Sequence, residues 1–133
     1  MSAPMVAMER EVVAEPTELS ETRRMADAAA ASYGLNGSER FEFAFAVNEA
    51  VSNAIEHGSP SPEGTIRLRF AEEKDALVFC VKDYGKFSPQ PKMEETPSNR
   101  GRGLALMASM VEELGLCRDS TGTLVRLIKR RRP

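Results

Sequence analysis

The 133 residues suit one compact domain over 1–133, and 41% hydrophobic with 29% charged residues is an ordinary balance for a chain with its own core. A net charge of −2 argues against direct nucleic-acid binding, and no apolar run approaches the ~20 residues that span a bilayer. Cys80 and Cys117 each sit in an apolar run, as buried free thiols do, and no CxxC or Cys/His cluster suggests zinc. Without a basic stretch and apolar core at its start, the chain reads as a cytoplasmic protein.

In chain order, residues 5–14 partly alternate and predict a first strand, which Pro16 ends. Thr17 is placed to cap a helix that runs through the alanine-rich stretch to Tyr33 and stops at Gly34. Ser38 starts a second helix, from about Glu39 to His57, ended by Gly58. Residues 59–64 form a turn-rich link. Strands follow at 65–71, alternating apolar with basic residues, and at 76–82, almost wholly apolar and so central to a sheet. Glu72 to Asp75 form the turn between them.

Residues 84–100 contain Gly85, Pro89, Pro91 and Pro97, several charges and little periodicity, as a functional loop does. A third helix is expected at about 102–114, ended by Gly115. Strands at about 115–119 and 123–129 close the chain around a turn at Thr121-Gly122. The tail Lys129-Arg130-Arg131-Arg132 reads as a solvated end that keeps the last strand soluble. The order β-α-α-β-β-α-β-β predicts an α+β two-layer sandwich: a mixed, mostly antiparallel sheet with three helices on one face.

Four segments could hold chemistry. Residues 47–58 read VNEAVSNAIEHG. Glu49, Asn53 and His57 recur every four residues and form one polar stripe on a largely apolar helix. A carboxylate and an amide oxygen so placed can hold a hydrated magnesium ion and orient a nucleophile. The alternative is a plain solvent face. Asp83 ends an apolar strand, where it can accept a hydrogen bond from an amino group in a pocket, and Gly85 permits a sharp turn. An ordinary strand-end turn would look the same. Residues 99–106, NRGRGLAL, lead two glycines into a helix start, which suits phosphate, with Arg100 and Arg102 adding charge. No Gly-Lys-Ser/Thr follows, so this is not a P-loop, and no strand directly precedes it, so it is not a Rossmann fingerprint. Gly122-Thr123 opens the last strand.

In this order and spacing, the four segments resemble the ATP-binding fold shared by gyrase, mismatch-repair ATPases and sensor histidine kinases, from the first strand to about Lys129. The short length and the phrase NEAVSNAIEHG look most like the anti-sigma-factor serine kinases of that superfamily. The resemblance implies ATP and Mg²⁺ as cofactors. It implies Glu49 as general base, Asn53 as magnesium ligand and His57 near the phosphates. It makes Asp83 the adenine reader with Gly85 beside it. Arg100, Gly101 and Gly103 then close over the triphosphate with Leu104 behind them, Thr123 lies near the adenine, and 86–100 forms a lid. The segment Asp83-Tyr84-Gly85-Lys86-Phe87 is one residue shorter than the family's usual pattern and lacks its second glycine. The implied partners are an anti-anti-sigma factor, phosphorylated on serine, a sigma factor, and a second copy in a homodimer. A binding module that sequesters its partner without kinase turnover is the alternative. A detached ATPase half of a sensor kinase lacks its phosphoacceptor helix pair here.

Overall fold

The structure is a computed structural model that describes residues 7–58, 64–84 and 97–132. Gly85 and residues 86–96 lie outside the described residues, as do the side chains of His57 and of residues 97–103.

The elements are β1 (Ala7–Val13), a 3₁₀ turn (Pro16–Glu18), α1 (Leu19–Tyr33), α2 (Gly37–Gly58), β2 (Thr65–Glu73), β3 (Ala76–Asp83), α3 (Pro97–Met110), β4 (Glu113–Asp119) and β5 (Gly122–Lys129). The strands form one sheet in the order β1-β2-β3-β5-β4, and every pairing is antiparallel. The almost wholly apolar β3 is central, as its composition predicts.

Alternation divides β3 between two faces. Leu77, Phe79, Val81 and Asp83 face the helices; Ala76, Val78, Cys80 and Lys82 face away. The helix-side core is built on Phe43 of α2, Phe70 of β2 and Phe79 of β3, with ring centroids 6.2 and 4.7 Å apart in sequence. Small residues on one side of α1, Ala26, Ala29 and Ala30, let it pack closely against α2 and the sheet. On the open face, Arg69 lies 3.4 Å from Glu9 and 3.1 Å from Glu73, a solvated network of modest stabilising effect.

Gly34 ends α1 in the left-handed region at φ 96°, its N–H donating to the Ala30 and Ala31 carbonyls. Thr17 makes no cap; it lies within the 3₁₀ turn, and Thr22 Oγ1 instead donates to the Glu18 carbonyl. The cap of α2 is Asn36 rather than Ser38. Asn36 Oδ1 accepts the Glu39 N–H at 2.8 Å and Glu39 Oε1 accepts the Asn36 N–H at 2.9 Å, a reciprocal capping box. The β2–β3 turn narrows to Lys74-Asp75, at φ 50° and 60°, because Glu72 and Glu73 stay in the ladder opposite Leu77 and Ala76.

Two expectations at the C-terminal end are overturned. The third helix ends at Met110, not near 114, and Gly115 lies inside β4. Pairing with β5 claims the chain from Glu113 onward, and Lys129 Nζ donates to the Met110 carbonyl at 2.7 Å, closing the helix end. The basic tail is solvated only beyond Lys129: Arg130, Arg131 and Arg132 are exposed, though each is paired. Lys129 is buried on the helix side of β5 and its Nζ also donates to Glu42 Oε1 at 2.7 Å. Arg130 binds Glu112 and Glu113. Arg131 binds Asp75 and stacks on the Tyr33 ring, its guanidinium carbon 4.4 Å from the centroid. Arg132 donates its backbone N–H to Glu39 at 2.6 Å and pairs with Glu42. The cysteines also differ from expectation. Both are free, but Cys80 is half-buried on the open sheet face and Cys117 is exposed.

Candidate active site

Strand register places Asp83 and Thr123 at one end of the sheet, and the length of α2 carries Asn53 away from the other end. Lys129 pairs with Leu77 in the β3–β5 register, and Thr123 pairs with Asp83 at the opposite end. Glu42, near the start of α2, is held at the Lys129 end. Asn53 lies eleven residues further on, about 17 Å along the axis. Leu77 to Asp83 is about 20 Å of strand, so Asn53 comes level with the Asp83–Thr123 end.

The last residue of α3, Met110, is tied to Lys129, and the helix packs against α2. Glu42, Glu49 and Asn53 are spaced by seven and four residues and share one side of α2. Because Glu42 meets Lys129 beside the end of α3, the Glu49–Asn53 stripe runs along the α3 side of that helix. Phe43, Ala46, Val47, Ala50 and Val51 bury the sheet-facing side, which leaves Glu49 and Asn53 half-buried at its margin.

Asp83 is the last inward residue of β3 and 6% exposed, among the few buried acidic groups described. Thr123 lies directly opposite on β5 and is half-buried. A buried carboxylate is kept only where polar groups compensate it, and Thr123 stands across from Asp83 on the same face. Leu104 is half-buried on α3 and packs against the main core.

At the glycines the structure departs from the expected loop. The α3 backbone is already helical from Pro97, so Gly101 and Gly103 lie inside the helix instead of before it. Proline at the first helical position favours that earlier start, since its fixed φ suits a helix and its missing N–H costs nothing there. Each interior glycine costs the helix about 1 kcal/mol relative to alanine, so this segment is the cheapest part of α3 to unwind.

Sequence reasoning missed Lys129 and Glu42, and it read Gly122 as the opening of the last strand without its close seat on β3. The period-two series Thr123, Val125, Leu127, Lys129 could have placed Lys129 inside, because its partners in that alternation are core residues. Gly122 has φ 140°, and an added Cβ would sit 2.8 Å from the carbonyl carbon of Asp83, so the turn it opens is pressed onto the β3 end. Among the described residues, no group of three or more His, Cys, Asp or Glu side chains could hold a metal ion by itself. No described helix is long and apolar enough to cross a membrane.

A two-layer antiparallel sandwich with a polar stripe on its long helix and a buried aspartate at a central strand end is the architecture of a nucleotide-binding ATPase domain. Residues 12–129 match the histidine kinase-like ATPase domain, and the chain belongs to that family. It is 27% identical to the serine-protein kinase RsbW of Bacillus velezensis, over 97% of this chain and 88% of that protein. To RsbW of Bacillus subtilis it is 26% identical, over 92% and 84%. The anti-sigma F factor of Anoxybacillus flavithermus is 29% identical over 68% and 69%. The crystal structure of the RsbU and RsbW domains of Rv1364c from Mycobacterium tuberculosis superposes with a TM-score of 0.75 at 24% identity, over 98% of this chain and 34% of that longer one. The relatives that the chain resembles over most of its length are two serine-protein kinases and an anti-sigma factor.

Proposed function

We propose that the chain uses ATP to phosphorylate a serine of an anti-anti-sigma protein, and that it holds a sigma factor inactive while that antagonist stays phosphorylated. The observation that supports this best is the register that sets Thr123 opposite the buried Asp83 at the end of β3 away from Lys129, with the Glu49–Asn53 stripe running along α2 away from the Lys129 contact. Asp83 accepts a hydrogen bond from the adenine amino group, and the Thr123 hydroxyl lies beside it. Arg100 and the segment Gly101–Gly103, with His57, stabilise charge on the phosphates, while Leu104 supports them from the core. Unwinding the glycine-containing first turns of α3 frees backbone N–H groups for that task.

Asn53 supplies one hard oxygen donor. That fits magnesium, which keeps several waters and takes most of its other ligands from phosphates, so no carboxylate cluster is needed. Asn53 would hold such an ion, which would supply neutralisation of phosphate charge. Glu49, one helical turn before Asn53, orients the serine hydroxyl and takes its proton as the oxygen–phosphorus bond forms and ADP leaves. We further propose a single cytoplasmic domain that acts as a homodimer without direct nucleic-acid or membrane contact. The family resemblance supports the dimer. The net charge of −2 and the intramolecular pairing of Arg130, Arg131 and Arg132 support the lack of nucleic-acid contact.

The test separates binding from transfer. Asn53→Ala should weaken Mg²⁺-dependent ATP binding in calorimetry. Glu49→Gln should leave binding within about twofold and lower phosphate transfer to the antagonist by about 10²- to 10⁴-fold, because a general base acts chiefly in the transition state. Equal damage to binding by both substitutions would show the roles to be wrong. Identical transfer behaviour of wild type and Glu49→Gln, with the partner still bound, would leave sequestration alone.

A further inference from the structure

The end of β3 that holds Asp83 is gripped from the opposite face of the sheet. Lys82 points away from the helices, and its Nζ donates to Thr121 Oγ1 at 3.0 Å and lies 4.0 Å from the Asp119 carboxylate. Asp119 Oδ1 accepts both the backbone N–H and the hydroxyl of Thr121, at 2.8 and 2.6 Å. Those bonds, followed by the Lys82 charge, hold the Asp119 carboxyl below its ordinary range. The turn is therefore an ordered unit, tied to β3 by the Lys82 side chain as well as by the β5 ladder. It continues into Gly122, whose backbone rests on the main chain of Asp83 and Tyr84 so closely that an added Cβ would lie 3.0 Å from the Tyr84 Cα. The next residue, Thr123, stands opposite Asp83.

We propose that the Asp119–Gly122 turn, anchored by Lys82, is a positioning element that sets base selectivity at Asp83; this rests on the reading of Asp83 as the adenine acceptor. The argument is geometric. A carboxylate favours an amino group over a carbonyl only while it stands in the right place and cannot retreat. The glycine seat leaves no slack between the β5 turn and the Asp83 backbone, and Lys82 keeps the turn seated. Lys82 itself lies on the other side of the sheet from Asp83, so it acts through position alone.

The test is competition binding of ATP and GTP to the full chain, because guanine presents a carbonyl where adenine presents its amino group. Lys82→Met should stay folded and lose about fivefold to tenfold of the ATP-over-GTP preference, the size expected when one hydrogen bond is imperfectly placed. Gly122→Ala should lose more; if it does not fold, Lys82→Met decides. Arg126→Met removes a pairing with Glu73 on the same face, away from the turn, and should leave the preference unchanged. A folded Lys82→Met with the parental preference overturns the positioning role, as does an equal shift in Arg126→Met. Asp83→Asn separates the two layers of the inference. If it keeps the full preference, the adenine reading itself fails. If it loses the preference while Lys82→Met does not, only the positioning role fails.

Discussion

The two ends of the sheet are built on different terms. At the β2–β3 turn, the last residues of the chain lash the helices to the strands. Tyr33 donates its hydroxyl to the Asp75 carbonyl at 2.6 Å, Arg131 bridges Asp75 and the Tyr33 ring, Arg132 reaches Glu39 and Glu42, and buried Lys129 joins α2 to the end of α3. At the opposite end, Glu49, Asn53 and Thr123 are half-buried polar groups at the margin of the core. One end concentrates charged side-chain bonds between helices and strands, and the other holds half-buried polar groups beside a tightly seated turn. About 20 Å of strand separates the two ends.

The sharpest way to break that contrast is Lys129→Met. Lys129 is 1% exposed and is the shared partner of the Glu42 carboxylate and the Met110 carbonyl. Removing one member of a buried pair costs about 3 kcal/mol, and Arg132 is left to compensate Glu42 only in part. For a domain of this size the melting midpoint should fall by about 10 °C. Changing Glu42→Gln in the same chain should recover part of the loss, since the stranded carboxylate is then gone. ATP affinity of the folded Lys129→Met protein should stay within about threefold of the parent, because the substitution is at the far end. A large loss of affinity without a fall in midpoint would mean that the two ends are not separable.

How much of this was legible in the sequence follows the same division. The central place of β3, the sequence of elements and the stripe Glu49–Asn53 all come from local periodicity, which a single sequence displays. Gly34 was readable because a left-handed helix end has one strongly preferred residue. The end of α3 was not readable. Gly115 offered a local stop, but pairing of Glu113 with Ile128 and the bond from Lys129 to Met110 settle the matter from fifteen or more residues away. Lys129 was unreadable for the same reason: it looks like the first residue of a solvated basic tail until Glu42 on α2 and the end of α3 are placed against it. Ser38 lost the cap to Asn36 because the deciding feature was Glu39, three residues after Asn36, which closes the reciprocal pair.

A smaller effect is expected with pH. Glu39 is held below the ordinary carboxylate range first by its bond with the Asn36 N–H and then by that from Arg132. Glu42 is lowered chiefly by Lys129, with Arg132 adding to it. A carboxyl whose folded value lies below its unfolded value stabilises the fold fully above the unfolded value and loses that contribution as pH falls through the folded one. Stability should therefore hold from neutral pH down to about 5 and decline below the ordinary glutamate range near 4.5. Denaturant midpoints measured across that interval should fall less steeply in Glu39→Gln than in the parent. An equally steep fall would place the acid sensitivity elsewhere.

The smallest expected effect comes from Tyr33→Phe, and it tests the contrast most finely. The substitution keeps the ring under the Arg131 guanidinium and removes only the hydroxyl that bonds the Asp75 carbonyl. Asp75 sits at φ 60°, a conformation that a non-glycine residue holds only when its surroundings favour it. Loss of one part-buried hydrogen bond costs about 1 kcal/mol, or about 3 to 4 °C in midpoint. Thr123→Val is the matched change at the other end: it too removes one hydroxyl, in a strand where valine is well tolerated. It should leave the midpoint within about 0.5 kcal/mol of the parent yet weaken ATP binding, whereas Tyr33→Phe should do the reverse. Melting and nucleotide titration of the two variants side by side decide the matter. If both lower the midpoint equally and neither touches affinity, then Thr123 is a plain strand residue, and the available polar end of the sheet shrinks to Asp83 and the α2 stripe.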